Sequence, residues 1–333
     1  MKPILAADIG GTNSRLRLSD PDAGRVLKEQ IYPSADFSSF DLILEEFLQA
    51  LDDSPDTACF ALAGPVHTEP DGRQTSQVTK LPWRLDSIAL ARRHGLRQVI
   101  LLNDFEAIGH ALPALRDQDR IVLQHGEPQT GAIQAVIGAG TGLGQAIVIP
   151  GGHGIQVLAT EGGHTDFAAQ TGEQDQLLAY VRESYEHVSF DRLVSGGGLA
   201  IIYRFLQAQL DSAIPDAIRD RLAAGRDPAP AISALALDNQ DPTARRALEL
   251  FLSLYGAQAG NLALNCLPTG GLFIAGGIAA RIRAAFDWPP FLQAFHHKGR
   301  MQALMQRFPL YLITHPQPGL LGAAQVATTA ARG

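Results

Sequence analysis

A strand that runs into a glycine turn and straight out into a second strand occurs twice in this 333-residue chain. The first copy is LAADIGGTNSRLRL, Leu5 to Leu18. The second is QAVIGAGTGLGQAIVI, Gln134 to Ile149. One hairpin pattern in both halves predicts two related α/β domains facing each other, with the glycine turns lining a ligand cleft between them. Glycine also serves tight hairpins that bind nothing, so the turns alone leave an ordinary structural role open.

Periodicity supports the same class. Pro3–Asp8 is apolar to its end, and Ser14–Leu18 alternates as a half-buried strand does. Phe40, Ile43, Leu44, Phe47, Leu48 and Leu51 have helical spacing. Ala58–Leu62 and Gln98–Leu102 are short buried strands on either side of a helix over Asp86–His94, and Asn103-Asp104 ends the second strand. Strands alternating with helices predict a largely parallel sheet. Beyond the second hairpin the chain turns helical, over 173–185, 198–210, 215–224, 228–237 and 243–267. Asp241-Pro242 starts the last of these and Pro268 stops it. A strand over Leu272–Ala275 should turn at Gly276-Gly277 into a helix over Ile278–Phe286. A strand over Pro309–Thr314 and a helix over Gly319–Arg332 complete the chain.

Composition narrows the partners. Apolar residues make up 46% and charged residues 18%, which excludes a disordered chain. A net charge of −7 with no long basic run argues against a nucleic-acid partner. Only Ile4–Ala7 is apolar before Asp8, too short for a secretory signal. The uncharged stretches 128–152 and 250–280 are broken by glycine, proline and amide residues. A cytoplasmic protein off the membrane is therefore expected. Cys59 and Cys266 lie in apolar surroundings and far apart, as buried free thiols do.

No Walker phosphate loop occurs. The run from Gly138 fails the dinucleotide fingerprint, because Leu143 stands where the last glycine belongs and a strand follows instead of a helix. Glycine turns can still cradle phosphate through successive backbone N–H groups, with Thr12 and Thr141 adding hydroxyl donors. Asp8, Asn103-Asp104 and Glu161-Gly-Gly-His164 stand at strand ends or just beyond them, where α/β sheets place ligands. Glu161 and His164 are spaced like a metal pair but lack a third ligand at diagnostic spacing.

Eight strings in order make the pattern specific: ADIGGTNSRLRL (7–18), LAGPV (62–66), LNDFEAIG (102–109), GAGTGLG (138–144), EGGHTDFA (161–168), SGGGL (195–199), FIAGGI (273–278) and PGLLGAA (318–324). Through them essentially the whole chain resembles the bacterial glucokinases of the sugar-kinase, heat-shock-protein and actin superfamily. The resemblance implies an α/β fold of two actin-like (ribonuclease H-like) domains around a cleft, one over 1–112 plus 316–333 and the other over 113–315. It implies ATP with Mg²⁺, transfer of the γ-phosphoryl group to the 6-hydroxyl of D-glucose, and a homodimer.

By the same resemblance Asp104 is the general base. Asn103, Glu161 and His164 bind sugar hydroxyls, and Gly64 and Pro65 of the LAGPV string lie at the sugar. Asp8 faces Mg²⁺ through water. Gly10, Gly11, Thr12 and Asn13 form one phosphate turn, Gly140, Thr141 and Gly142 the second, and Gly276 and Gly277 pass the adenosine. Two positions depart from the family. Lys80 replaces the asparagine of its TN-x-x-W pattern, and Asp191 replaces a glutamate at the anomeric end of the sugar. A kinase for another hexose, or a weakly catalytic sugar sensor, are the alternatives. No helix-turn-helix precedes the first strand to serve a sensor.

Overall fold

The computed structural model describes residues 1–152, 154–210 and 214–332. The chain divides into two compact units, Met1–Arg116 with His315–Gly333, and Asp117–Thr314.

The first unit is built on β1 (Ile4–Ile9), β2 (Asn13–Asp20) and β3 (Arg25–Pro33), then α1 (Phe40–Gln49) and β4 (Thr57–Leu62). There follow β5 (Val66–Thr68), β6 (Gln74–Gln77), β7 (Arg84–Asp86), α2 (Ser87–His94), β8 (Gln98–Asn103) and α3 (Asp104–Ala111). The main sheet has the order β3-β2-β1-β4-β8, with β1, β4 and β8 parallel and β2 and β3 antiparallel. A small antiparallel sheet, β5-β6-β7, stands beside it.

The central strands are apolar on both faces because both faces are covered. Leu5, Ala7 and Ile9 of β1, with Ala58, Phe60 and Leu62 of β4, pack with Phe40, Ile43, Leu44 and Phe47 of α1. Ile4, Ala6, Cys59 and Ala61 point the other way, against Ala107 of α3 and Leu320, Ala323 and Ala327 of the C-terminal helix, Pro318–Arg332. That helix brings the end of the chain back onto its beginning.

In the second unit β9 (Arg120–Gln124), β10 (Gln134–Ala139), β11 (Leu143–Gly151) and β12 (Gly154–Thr160) precede α4 (Gly172–Arg182), α5 (Phe190–Leu193), α6 (Gly196–Leu210), α7 (Asp216–Ala223), α8 (Ala229–Leu237) and α9 (Pro242–Cys266). β13 (Gly271–Ala275), α10 (Gly277–Arg281), α11 (Pro289–His296) and β14 (Leu310–Ile313) follow. The sheet order is β12-β11-β10-β13-β14-β9. Its first five strands repeat the first unit's pattern of two antiparallel strands followed by three parallel ones. The two hairpins occupy equivalent places in the two sheets, as the repeat in the sequence requires. α9 runs through the second core. The Asp241 side chain accepts the Ala244 N–H at its start, and Leu267 closes it in a left-handed conformation.

One expectation needs correction, and one strand carried none. The helix expected over Ile278–Phe286 breaks at Ile282, with φ −96° and ψ 19°, and continues as a tighter 3₁₀ turn over Arg283–Asp287. The edge strand β3 carried no expectation, because most of its side chains are exposed and no alternation marks it. Cys59 and Cys266 are both free and buried, as expected. No helix among the described residues is long and apolar enough to cross a membrane.

The C-terminal helix sets a stability test. A Cβ on Gly322 would collide with the Ala107 carbonyl of α3. Gly322→Ala should therefore lose about 1–2 kcal/mol net, overpacking outweighing the helix propensity gained. A lower urea midpoint is expected; an unchanged one would mean that the two helices yield freely.

Candidate active site

In the first unit the chemistry collects at one sheet edge. The register Ile9↔Leu62 and Leu62↔Asn103 brings the C-terminal ends of β1, β4 and β8 side by side. The turn after β1 is closed by the Gly10 N–H donating to Asn13 O at 3.0 Å. Ser34 pins it from outside: its N–H donates to Thr12 O at 2.9 Å and its hydroxyl to Gly10 O at 2.8 Å.

Asn103 caps α3, accepting the Phe105 N–H on Oδ1 at 2.9 Å and donating from Nδ2 to Gly64 O at 3.1 Å. Its own N–H donates to Glu106 Oε2, which completes a capping box. Burial pushes the Glu106 carboxyl above its usual range. Asp104 opens the same helix, and its Oδ1 also accepts the Phe105 N–H, at 3.0 Å. Gly64 is fixed by packing, since a Cβ there would strike the Gln77 carbonyl, and Pro65 O accepts the Ser76 hydroxyl at 2.7 Å.

Asp8 lies across β1–β2 from Arg15, beside Gly319 of the C-terminal helix. Desolvation pushes its carboxyl up to about 6, against a smaller opposing pull from Arg15. No group of three His, Cys, Asp or Glu able to hold a metal occurs among the described residues. Without such a group, Asp8 fits a Mg²⁺ brought in by phosphates better than one held by the protein alone.

In the second unit three pieces meet around Leu143. The Gly140 N–H donates to Gly142 O at 2.8 Å and closes the second turn, and the Gly196 N–H donates to Gly140 O at 3.0 Å. The Leu143 N–H donates to Asp191 Oδ1 at 2.7 Å. That oxygen lies 2.5 Å from where a Cβ on Gly142 would stand. Asp191 therefore braces the glycine turn with one oxygen.

Both glycines of the Glu161-Gly-Gly-His164 loop are closely packed, Gly163 against backbone and Gly162 against a side chain. A Cβ on Gly163 would meet Leu143 O, and one on Gly162 would meet the Gln145 side chain. Close packing beneath the loop leaves Glu161 and His164 projecting outward, 78% and 61% exposed and 3.8 Å apart. Gln258 of α9 supports the loop from below, donating to Gly162 O at 2.9 Å.

Sequence reasoning missed Ser34, Gln258 and Tyr255. The Tyr255 hydroxyl accepts the Ala139 N–H at 3.1 Å and lies 3.3 and 3.4 Å from Ile137 O and Ala275 O. It thus ties together the ends of β10 and β13, just before the turns at Gly140 and Gly276. Gly276 has φ 93°, and a Cβ there would strike Ala139 O, so the close approach of β13 to β10 requires glycine. A tyrosine on an apolar helix face carries no sign in sequence that its hydroxyl does this.

A family model described as glucokinase matches residues 5–330. A glucokinase of Nostoc punctiforme is 41% identical over 343 residues, covering 98% of this chain and 99% of that protein. Among solved structures, a glucokinase from an Antarctic psychrotroph superposes with a TM-score of 0.82 at 31% identity, covering 99% of both chains. The glucokinase of Balamuthia mandrillaris, solved with glucose, gives a TM-score of 0.82 at 24% identity, over 100% of this chain and 94% of that one.

Asp8 gives a test whose sign is fixed. Its folded value, about 6, exceeds the unfolded 3.8, so ionising it works against folding as pH rises through that window. Asp8→Asn should be more stable than the parent at pH 8 by up to about 3 kcal/mol. The gain should shrink as pH falls through 6 and vanish near 4. Urea unfolding at three pH values reads this, and a difference independent of pH would refute the burial argument.

Proposed function

This chain belongs to the glucokinase family, its activity is the ATP-dependent phosphorylation of D-glucose, and we propose how its residues divide that work. The match over residues 5–330 carries the reading. The strand-end positions of Asp8 and Asp104 support the roles assigned to them.

Asp104 takes the proton of the 6-hydroxyl as that oxygen attacks the γ-phosphorus. Its carboxylate is oriented by the Phe105 N–H. Asn103 is held rigid by its cap bond and by Gly64, yet keeps a second amide proton for a sugar oxygen. Glu161 and His164, projecting from a packed loop, bind further hydroxyls. Asp191 keeps Oδ2 for the sugar while Oδ1 braces the second turn. Gly64 and Pro65 shape the sugar end of the first unit. Charged hydrogen bonds of this kind contribute about 1.5–3 kcal/mol each.

The turns Gly10–Asn13 and Gly140–Gly142 hold phosphates on backbone N–H groups, and Gly276 and Gly277 let the adenosine approach the backbone. Asp8 is the carboxylate that would face Mg²⁺, which would supply charge neutralisation on the phosphates when bound. Phosphoryl transfer asks little else of the protein than alignment and electrostatics. The family resemblance also supports a cytoplasmic homodimer. A second reading, a kinase for another hexose, draws on Asp191, which is shorter than the family's glutamate and partly committed to the turn.

Coupled ADP release with glucose, mannose, fructose, galactose and glucosamine separates the two readings: glucose should give the highest kcat/KM. Asp104→Asn should lower turnover by about 10²–10⁴-fold while glucose still binds by calorimetry. Turnover near that of the parent would remove Asp104 from the proposed role.

A further inference from the structure

Lys80 occupies a backbone site that disfavours it. The Leu81 N–H donates to Val78 O at 3.3 Å, closing a four-residue turn with Lys80 in third place. There φ is 67°, a left-handed conformation suited to glycine or asparagine and costly for other side chains. The other non-glycine residues with positive φ among those described, Asn239 and Leu267, stand at the ends of α8 and α9, where such a conformation ends a helix. Lys80 ends no helix.

The fold does not use the ammonium. Among the described residues, none forms a hydrogen bond or ion pair with it. Its stem nevertheless lies along the first glycine turn. Cβ and Cδ come within 3.6 and 4.0 Å of the position a Cβ on Gly11 would take, with Thr79 O also at 3.6 Å. The Thr79 N–H donates to Ala63 O at 2.7 Å, just beyond β4, and so anchors the segment to the sheet edge that carries Asp8 and Asp104. The left-handed backbone thus lays the lysine stem beside Gly11, and the ammonium follows two bonds beyond Cδ.

We propose that Lys80 contacts the terminal phosphates of ATP at the Gly10–Asn13 turn and neutralises charge on the γ-phosphoryl group as it moves to the sugar. The proposal rests on the assignment of that turn to phosphate. A lysine suits the task as a compact cation with three donors on a flexible stem. The local strain then has a reason, because strained backbone persists where function holds it.

The test uses Lys80→Met, which keeps the stem, and Lys80→Asn, which suits the backbone. Both should lower kcat/KM for ATP by about ten- to a hundredfold and leave glucose affinity by calorimetry unchanged. Lys80→Arg should recover part of the loss. The nonhydrolysable analogue AMPPNP should bind both variants at least tenfold more weakly, whereas AMP, which lacks the terminal phosphates, should bind them as it binds the parent. Lys80→Asn should also unfold at the same temperature as the parent or higher. Parental AMPPNP affinity in both variants would overturn the proposal, as would an equal loss for AMP. The binding arm needs no turnover, so failure of the glucose-kinase reading would show separately, as a parent protein that binds AMPPNP through Lys80 yet phosphorylates no glucose.

Discussion

Two backbone hydrogen bonds, Gly10 N–H to Asn13 O and Gly140 N–H to Gly142 O, close the turns around which the rest is organised. Each turn joins the first parallel strand of its sheet to an antiparallel neighbour, and each is kept tight from outside. Ser34 holds the first through its hydroxyl and its N–H, and Asp191 and Gly196 hold the second. A turn fixed in this way could take the phosphate proposed for it without having to reorganise. That preorganisation is what electrostatic catalysis of phosphoryl transfer needs. The parallel strands beside each turn then deliver the remaining groups: β8 ends at Asn103 and Asp104, and β13 ends at Gly276.

The paired hairpins, the helix caps and the strand-end carboxylates were legible in the sequence because each is a local pattern. Asp86 and Asp241 cap helices at the starts expected from the sequence, whereas Asn103, read only as a strand end, also caps α3. The glycines were legible as turns, but only packing separates their kinds. Gly140 has nothing within 4 Å of its missing side chain, whereas Gly163, Gly276 and Gly322 are demanded by a neighbouring carbonyl. Ser34, Gln258 and Tyr255 act on residues far from them in sequence, and no spacing rule reaches that far. The edge strand β3 escaped notice for the opposite reason, being too exposed to show a hydrophobic period.

With the proposed roles, function and stability pull apart at two places in the first unit. Asp8 is crowded enough that its ionisation opposes folding, yet an ionised oxygen is what a hydrated metal requires. Lys80 sits in a left-handed turn that another residue would fill at less cost. Sites that break a local rule without a structural return are where chemistry is expected. In the second unit Asp191 holds the glycine turn through one oxygen, and the proposed sugar contact falls to the other.

The central claim is transfer of one phosphoryl group from ATP to a single sugar oxygen. Incubation with ATP, Mg²⁺ and uniformly ¹³C-labelled glucose, followed by carbon and phosphorus NMR of the product, tests it most directly. The expected product shows phosphorus coupling at C6 and at its neighbour C5, with one ADP formed per phosphorylated sugar. Phosphorus coupled at any other carbinol carbon, or ADP formed alongside free phosphate and unmodified glucose, would contradict it.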